Sequence, residues 1–151
     1  MFLKGYGFCV WWRLKPNHPI SIVSKELSKR LNTPLFDTHI SVRTKLTMVP
    51  SELPYPEETI KAKLPLRVTS EYLSSWGKTL FALELPVEYA YPLPRNAHIS
   101  LAYRFNNGFT KEEIDMAEQM LQTYNEWRQI HDTDSVVYDV SSPRVKWTQV
   151  K

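Results

Sequence analysis

Thr38-His39-Ile40-Ser41-Val42 and Ala97-His98-Ile99-Ser100-Leu101-Ala102-Tyr103 carry one phrase, His-Ile-Ser, twice. In each copy polar and apolar residues alternate, with β-branched residues among them, the pattern of a half-buried strand. Residues i and i+2 of a strand share a face, about 6–7 Å apart. Each phrase therefore sets an imidazole beside a hydroxyl. Ile40 and Val42, or Ile99 and Leu101, turn into the core. Two such strands on one cleft would supply two proton-transfer groups and two hydrogen-bond donors. Attack at phosphorus or at a carbonyl needs that set.

Spacing alone is a weak signal. With 12 Ser, 11 Thr and 4 His in 151 residues, chance gives two or more such matches with a probability of roughly one in ten. A third match, His131-Asp132-Thr133, lies in the polar run Gln129 to Ser135 after a predicted helix and reads as a loop. Only the first two sit in alternating apolar strands. Their plain alternative is a pair of half-buried histidines beside surface serines.

His39-Ile40-Ser41-Val42 and His98-Ile99-Ser100-Leu101 resemble the two H-x-[S/T]-hydrophobic signatures of the two-histidine (2H) phosphoesterase superfamily. That superfamily includes 2',3'-cyclic nucleotide phosphodiesterases, bacterial RNA 2',3'-phosphodiesterase/ligase-like proteins, viral 2',5'-oligoadenylate phosphodiesterases and phage nucleases that destroy cyclic oligonucleotide defence signals. The opening strand, helix and first motif strand fit the same outline. Tyr103 and Arg104 resemble the aromatic and basic residues often found after the second signature. The resemblance implies an α+β fold, with two pseudo-symmetric lobes of antiparallel sheet and outer helices around a central cleft, as one domain over residues 1–151. It implies a hydrolase of phosphodiester bonds with His39, Ser41, His98 and Ser100 as catalytic residues, and no cofactor or metal. The substrate implied is a cyclic nucleotide or cyclic oligonucleotide, in a viral or phage enzyme against defence signals; RNA ends and 2',5'-oligoadenylate are the alternative. The motif histidines are 98 − 39 = 59 residues apart, short for that family. The central strands, where the family places substrate recognition, are therefore expected to be pared down.

Composition bounds the reading. A chain of 151 residues suits one domain able to bury a core. A net charge of +3 permits an anionic substrate and is too small for general coating of nucleic acid. The lone Cys9 rules out a disulfide within the chain and points to a reducing compartment. The apolar run Phe8 to Trp12 is too short for a signal peptide, and no stretch has membrane-spanning length. The expectation is a cytoplasmic protein, of a cell or an infected host, with no membrane and no obligate protein partner.

In chain order, Gly5 to Leu14 reads as a central strand with Tyr6, Phe8, Val10 and Trp12 on one face and Cys9 and Trp11 on the other. Tyr6 and Trp12 are candidates for stacking on a base; plain core packing is the competing reading. Lys15 to Pro19 turns, with His18 a loop or capping residue. Ile20, Val23, Leu27 and Leu31 mark a helix that ends at Thr33-Pro34. In the strand Leu35 to Leu46, regular pairing would put Arg43 and Lys45 on the face of His39 and Ser41. Arg104 stands six places after His98, as Lys45 does after His39. The three cations would suit a phosphate; otherwise they are solvated strand ends.

Met48 to Thr59 is a Pro-rich loop. Ile60 to Leu73 and Thr79 to Val87 read as a hairpin around Ser74 to Lys78, with Trp76 a stacking platform or lid. Tyr89 and Tyr91 are candidates for the groove. Thr110 and Glu113 form a capping box for a helix running to about Arg128 and burying Ile114, Ala117, Leu121 and Tyr124. Ser135 to Val140 and Arg144 to Val150 close the chain as strands. Phosphodiester cleavage would use one histidine to activate the attacking oxygen and the other to protonate the leaving one, with Ser41 and Ser100 donating to the non-bridging oxygens. Which histidine does which is open. The sequence has no HExxH, Cys cluster or aspartate array that would hold a metal. A nucleotide- or RNA-binding module that keeps the fold without catalysis is the reading from another class.

Overall fold

The computed structural model describes residues 7–56, 59–74, 77–88, 97–140 and 148–150. Their order is β1 (Phe8–Arg13), α1 (Pro19–Leu31), β2 (His39–Leu46), β3 (Ile60–Ala62), β4 (Arg67–Leu73), β5 (Lys78–Glu88), β6 (His98–Phe105), α2 (Lys111–Gln122), β7 (Gln129–Ile130), β8 (Asp134–Asp139) and β9 (Thr148–Gln149). The fold is α+β: a curled antiparallel sheet, a half-barrel, with two helices. The strands run β7-β3-β5-β6-β2-β1-β8-β9, and β4 pairs β5 along the length that β3 leaves.

Both helices cover the same face of the sheet. Ile20, Val23 and Leu27 of α1 and Ala117 and Leu121 of α2 share one buried cluster with Trp12, Ile40, Leu83, Leu85, Ile99 and Leu101. Full burial of a Leu or Ile side chain stabilises by about 1.5–3 kcal/mol, an upper figure for a compact unfolded chain. The opposite face carries two apolar flanks. Cys9, Trp11, Val136, Tyr138 and Val140 form one; Leu73, Leu80, Ala82 and Tyr103 form the other, with Phe36 against it.

α1 begins where the sequence places it. Pro19 takes its first turn, and His18 caps it by accepting the Ile20 N–H at Nδ1, 3.0 Å. It ends as Asn32 enters the left-handed region (φ 54°). α2 has the expected capping box of Thr110 and Glu113 but stops at Gln122, not near Arg128. Glu126 adopts φ 57°, Trp127 turns into the core, and Gln129–Ile130 leave to pair with β3. Tyr124, expected inside, is exposed. The predicted hairpin arm Ile60 to Leu73 is two strands, β3 and β4. Pro65, which has no N–H for a ladder, lies in the gap between them.

Candidate functional site

β2 and β6 meet at one antiparallel bridge, Ile40 to Ile99. Both isoleucines are fully buried on the helix side, so their neighbours along each strand face the other way. Extended without a shift, that bridge sets His39 across from Ser100 and Ser41 across from His98. Residues directly opposite on one face stand about 4.5–5.5 Å apart at Cβ and diagonal ones about 7–8 Å. The four motif side chains therefore share one patch, with the histidines on its diagonal. The patch lies between the two apolar flanks of that face.

The two histidines are held differently. His39 is 5% exposed. Its ring lies flat on Trp11, centroids 3.4 Å apart and planes 9° from parallel. Its Nδ1 is 2.6 Å from the Asp37 carbonyl. A carbonyl only accepts, so Nδ1 carries the proton and the neutral ring has its lone pair at Nε2. The Asp37 carboxylate is fixed in turn by the Tyr138 hydroxyl and by Arg13. Burial, and after it the bond to Asp37, hold the Tyr138 pKa above its ordinary value. Tyr138 also stacks on the far side of the group, 4.0 Å from Trp11.

His98 keeps 34% of its side chain in solvent. Its Nε2 is 3.1 Å from the Glu84 Oε2. That carboxylate is 8% exposed and takes two further bonds, from Thr69 Oγ1 at 2.8 Å and Arg67 Nε at 3.2 Å. A buried carboxylate is costly unless paired in this way. Because Nε2 donates to Glu84, the neutral ring has its lone pair at Nδ1. In their neutral forms the two motif histidines thus take opposite tautomers.

Glu84 is a site residue that the motifs do not reveal. The signal for it is present: it is the one charge in Leu80-Phe81-Ala82-Leu83-Glu84-Leu85-Pro86-Val87, an otherwise apolar strand. β5 pairs Glu84 with Ser100, which puts it on the motif face. Arg13 and Arg67 bring cations to that face. Arg13 pairs with His39 across β1 and β2, and Arg67 with Glu84 across β4 and β5.

The other expected site residues are distributed by strand irregularities. β1 pairs Trp11 with Ser41 but Val10 with Arg43, skipping one residue of β2. The regular alternation that would carry Arg43 and Lys45 onto the motif face is therefore lost. Both are exposed, and Lys45 sits at φ 60° beside a second shift. β6 has a bulge at Leu101, because Ala102 pairs with Leu83 while Ser100 pairs with Glu84. The Leu101 carbonyl accepts the buried Ser24 hydroxyl of α1 at 2.8 Å.

The bulge exchanges faces beyond it. Tyr103 comes to the motif face, where it is 8% exposed and packs on Phe36 at 4.8 Å. Phe36 in turn stands edge-on to His39. Arg104 goes to the helix face and grips Glu113 with two bonds of 3.0 and 2.7 Å. There it is held in an ion pair with α2, away from the motif face where the sequence pattern would carry it. Trp12 is likewise core: it is 3% exposed among the helices, with Nε1 donating to the Pro54 carbonyl at 3.0 Å. The indole at the site is Trp11. Tyr6, Trp76, Tyr89 and Tyr91 lie outside the described residues.

Among the described residues no group of three or more His, Cys, Asp or Glu is placed to hold a metal ion, and no helix is long and apolar enough to cross a membrane. No protein-family model matches this chain, and no curated protein matches it.

Proposed function

We propose that this chain is a metal-independent phosphodiesterase of the 2H type, acting on a cyclic nucleotide or cyclic oligonucleotide. In this reading the two halves of the sheet, joined at the single β2–β6 bridge, are the family's two lobes. The observation that carries it is that bridge, Ile40 to Ile99. It supports a patch in which two imidazoles stand on a diagonal and two hydroxyls stand between them. A phosphodiester held there would have an acid-base group on each side of phosphorus and a hydroxyl toward each non-bridging oxygen. The aromatic flanks, with Tyr103 and Phe36 on one side, suit a ligand that carries a base.

The burial of His39 favours a second reading, a nucleotide-binding module in which His39 only packs against Trp11. One experiment separates them. Wild type and His98→Ala, in EDTA, are given 2',3'-cyclic mononucleotides, 2',5'-oligoadenylate and cyclic di- and trinucleotides, and products are resolved by chromatography. Cleavage of one class by wild type alone is the expected result. Tight binding of one class with no cleavage of any selects the binding module.

A further inference from the structure

The two motif phrases leave open which histidine is the acid and which is the base. Resting on the phosphodiesterase reading, we propose that His39 is the base, that His98 is the acid, and that Glu84 is the positioning residue that fits His98 for that role. The anchors of the rings differ in kind. His39 is anchored to a backbone carbonyl, a neutral acceptor that fixes its tautomer with the lone pair at Nε2. A neutral ring with a directed lone pair takes a proton. His98 is anchored to a carboxylate that is itself locked by Thr69 and Arg67. A full negative charge beside one imidazole is the counter-charge for an imidazolium. Its bond to Nε2 leaves the second proton of that imidazolium on Nδ1.

The step balances as follows. Nε2 of His39 takes a proton from water as the water oxygen bonds to phosphorus. The bond from phosphorus to the leaving oxygen breaks, and Nδ1 of His98 gives that oxygen its proton. A phosphomonoester and an alcohol result. His39 ends charged and His98 neutral, and one proton returns through solvent. Glu84 keeps its charge throughout and moves no proton.

The test uses two leaving groups. An alkoxide must be protonated as it leaves; p-nitrophenolate need not be. The substrates are the nucleotide phosphodiester that wild type cleaves best and a p-nitrophenyl ester of a nucleoside monophosphate. His98→Ala is expected to slow the first by roughly 10²-fold or more and Glu84→Gln by about tenfold or more. Both should cleave the p-nitrophenyl ester within about threefold of wild type, whereas His39→Ala should fail on both. Thr69→Val, which removes one bond to Glu84 and keeps the carboxylate, should show a smaller loss with the same leaving-group selectivity. It serves if Glu84→Gln does not fold. An equal defect on both substrates in Glu84→Gln and Thr69→Val, or wild-type rates in both, overturns the role of Glu84. Recovery of His39→Ala, and not His98→Ala, on the p-nitrophenyl ester reverses the assignment. A wild type inert on every phosphodiester overturns the phosphodiesterase reading itself, a separate outcome.

Discussion

The ring of His39 is buried flat against Trp11, while that of His98 lies beside a carboxylate with a third of its side chain in solvent. The phrases around them are the same three residues. What differs is the strand on the outer side of each. β1 gives His39 an indole and an arginine, and the segment leading into β2 gives it the neutral carbonyl of Asp37. β5 gives His98 a carboxylate. Identical motifs thus acquire unlike surroundings from their neighbours, and on the proposed reading that difference makes His39 the ring that receives a proton and His98 the ring that holds one.

The largest expected effect tests whether the two rings nonetheless serve one reaction. His39→Ala and His98→Ala should each lower turnover by roughly 10²–10⁴-fold, read as kcat on the cleaved phosphodiester. Their effects on stability should diverge. His39→Ala removes a stacked ring and a backbone hydrogen bond and should cost about 1–3 kcal/mol in urea unfolding. His98→Ala should cost under about 1 kcal/mol, as a half-exposed side chain does. Equal stability losses would break the comparison, because they would mean that His39 is not held as its contacts imply.

Ser100→Ala and Ser41→Ala come next. On the proposed reading each removes one donor to a non-bridging oxygen, and each should cost on the order of 10²-fold in kcat with little change in KM. Ser100 is buried across from His39, and Ser41 is half-buried across from His98. A loss in KM alone, at either serine, would mark ground-state binding instead of transition-state support.

Much of this arrangement was legible in the sequence, and the limits have a physical cause. Period-two alternation correctly sends Ile40, Ile99 and Leu101 to the helix side of the sheet and the His and Ser of each phrase to the other face. It also gives α1 from Pro19 to Leu31 and the capping box of α2. Alternation fails where a strand carries an extra residue. The bulge at Leu101 moves Tyr103 to the motif face and Arg104 away from it, and the shifts in β2 take Arg43 and Lys45 out of step. A bulge depends on the partner strand, so no local pattern announces it. Trp12, the expected stacking residue, packs among the helices, and Trp11 stands at the site. Both faces of β1 are apolar, and only pairing with β2 decides which indole meets His39.

The displaced Arg104 supplies a smaller effect, on stability in acid. Its two bonds are the first cause that holds the Glu113 pKa well below the usual carboxylate range, at about 2. A carboxylate with a depressed folded pKa stabilises above its unfolded value, and that stability is lost as pH falls through the folded one. Arg104→Leu should therefore lower the Tm at pH 7, by an amount reflecting the roughly 1.5–3 kcal/mol of a charged hydrogen bond. The difference from wild type should shrink between about pH 4.5 and pH 2. Phosphodiester turnover measured well below the Tm should stay near wild type, since Arg104 faces the helices. A large loss of kcat in folded Arg104→Leu would return that residue to the site.

His18, a histidine outside the motifs, should give the smallest and mildest change. Its Nδ1 accepts the Ile20 N–H at the start of α1, and its Nε2 donates to the Gln129 carbonyl at 2.7 Å. The cap requires the neutral ring, whereas the bond to Gln129 survives protonation. Burial, as the largest cause, lowers its pKa from 6.5, so the unfolded chain binds the proton more readily than the folded one. Stability from His18 is then fully present above about pH 6.5 and is lost as pH falls through the lower folded value. A proton at Nδ1 would also displace the cap and set a positive charge on a helix N-terminus. His18→Asn keeps an acceptor at the cap and cannot titrate. It should be less stable than wild type by about 1 kcal/mol or less at pH 7.5, through loss of the Gln129 bond. It should also lose less stability than wild type on going to pH 5, by urea unfolding at both values. The same loss in both proteins would show that the acid sensitivity arises elsewhere. His18 would then share with His39 and His98 only its residue type.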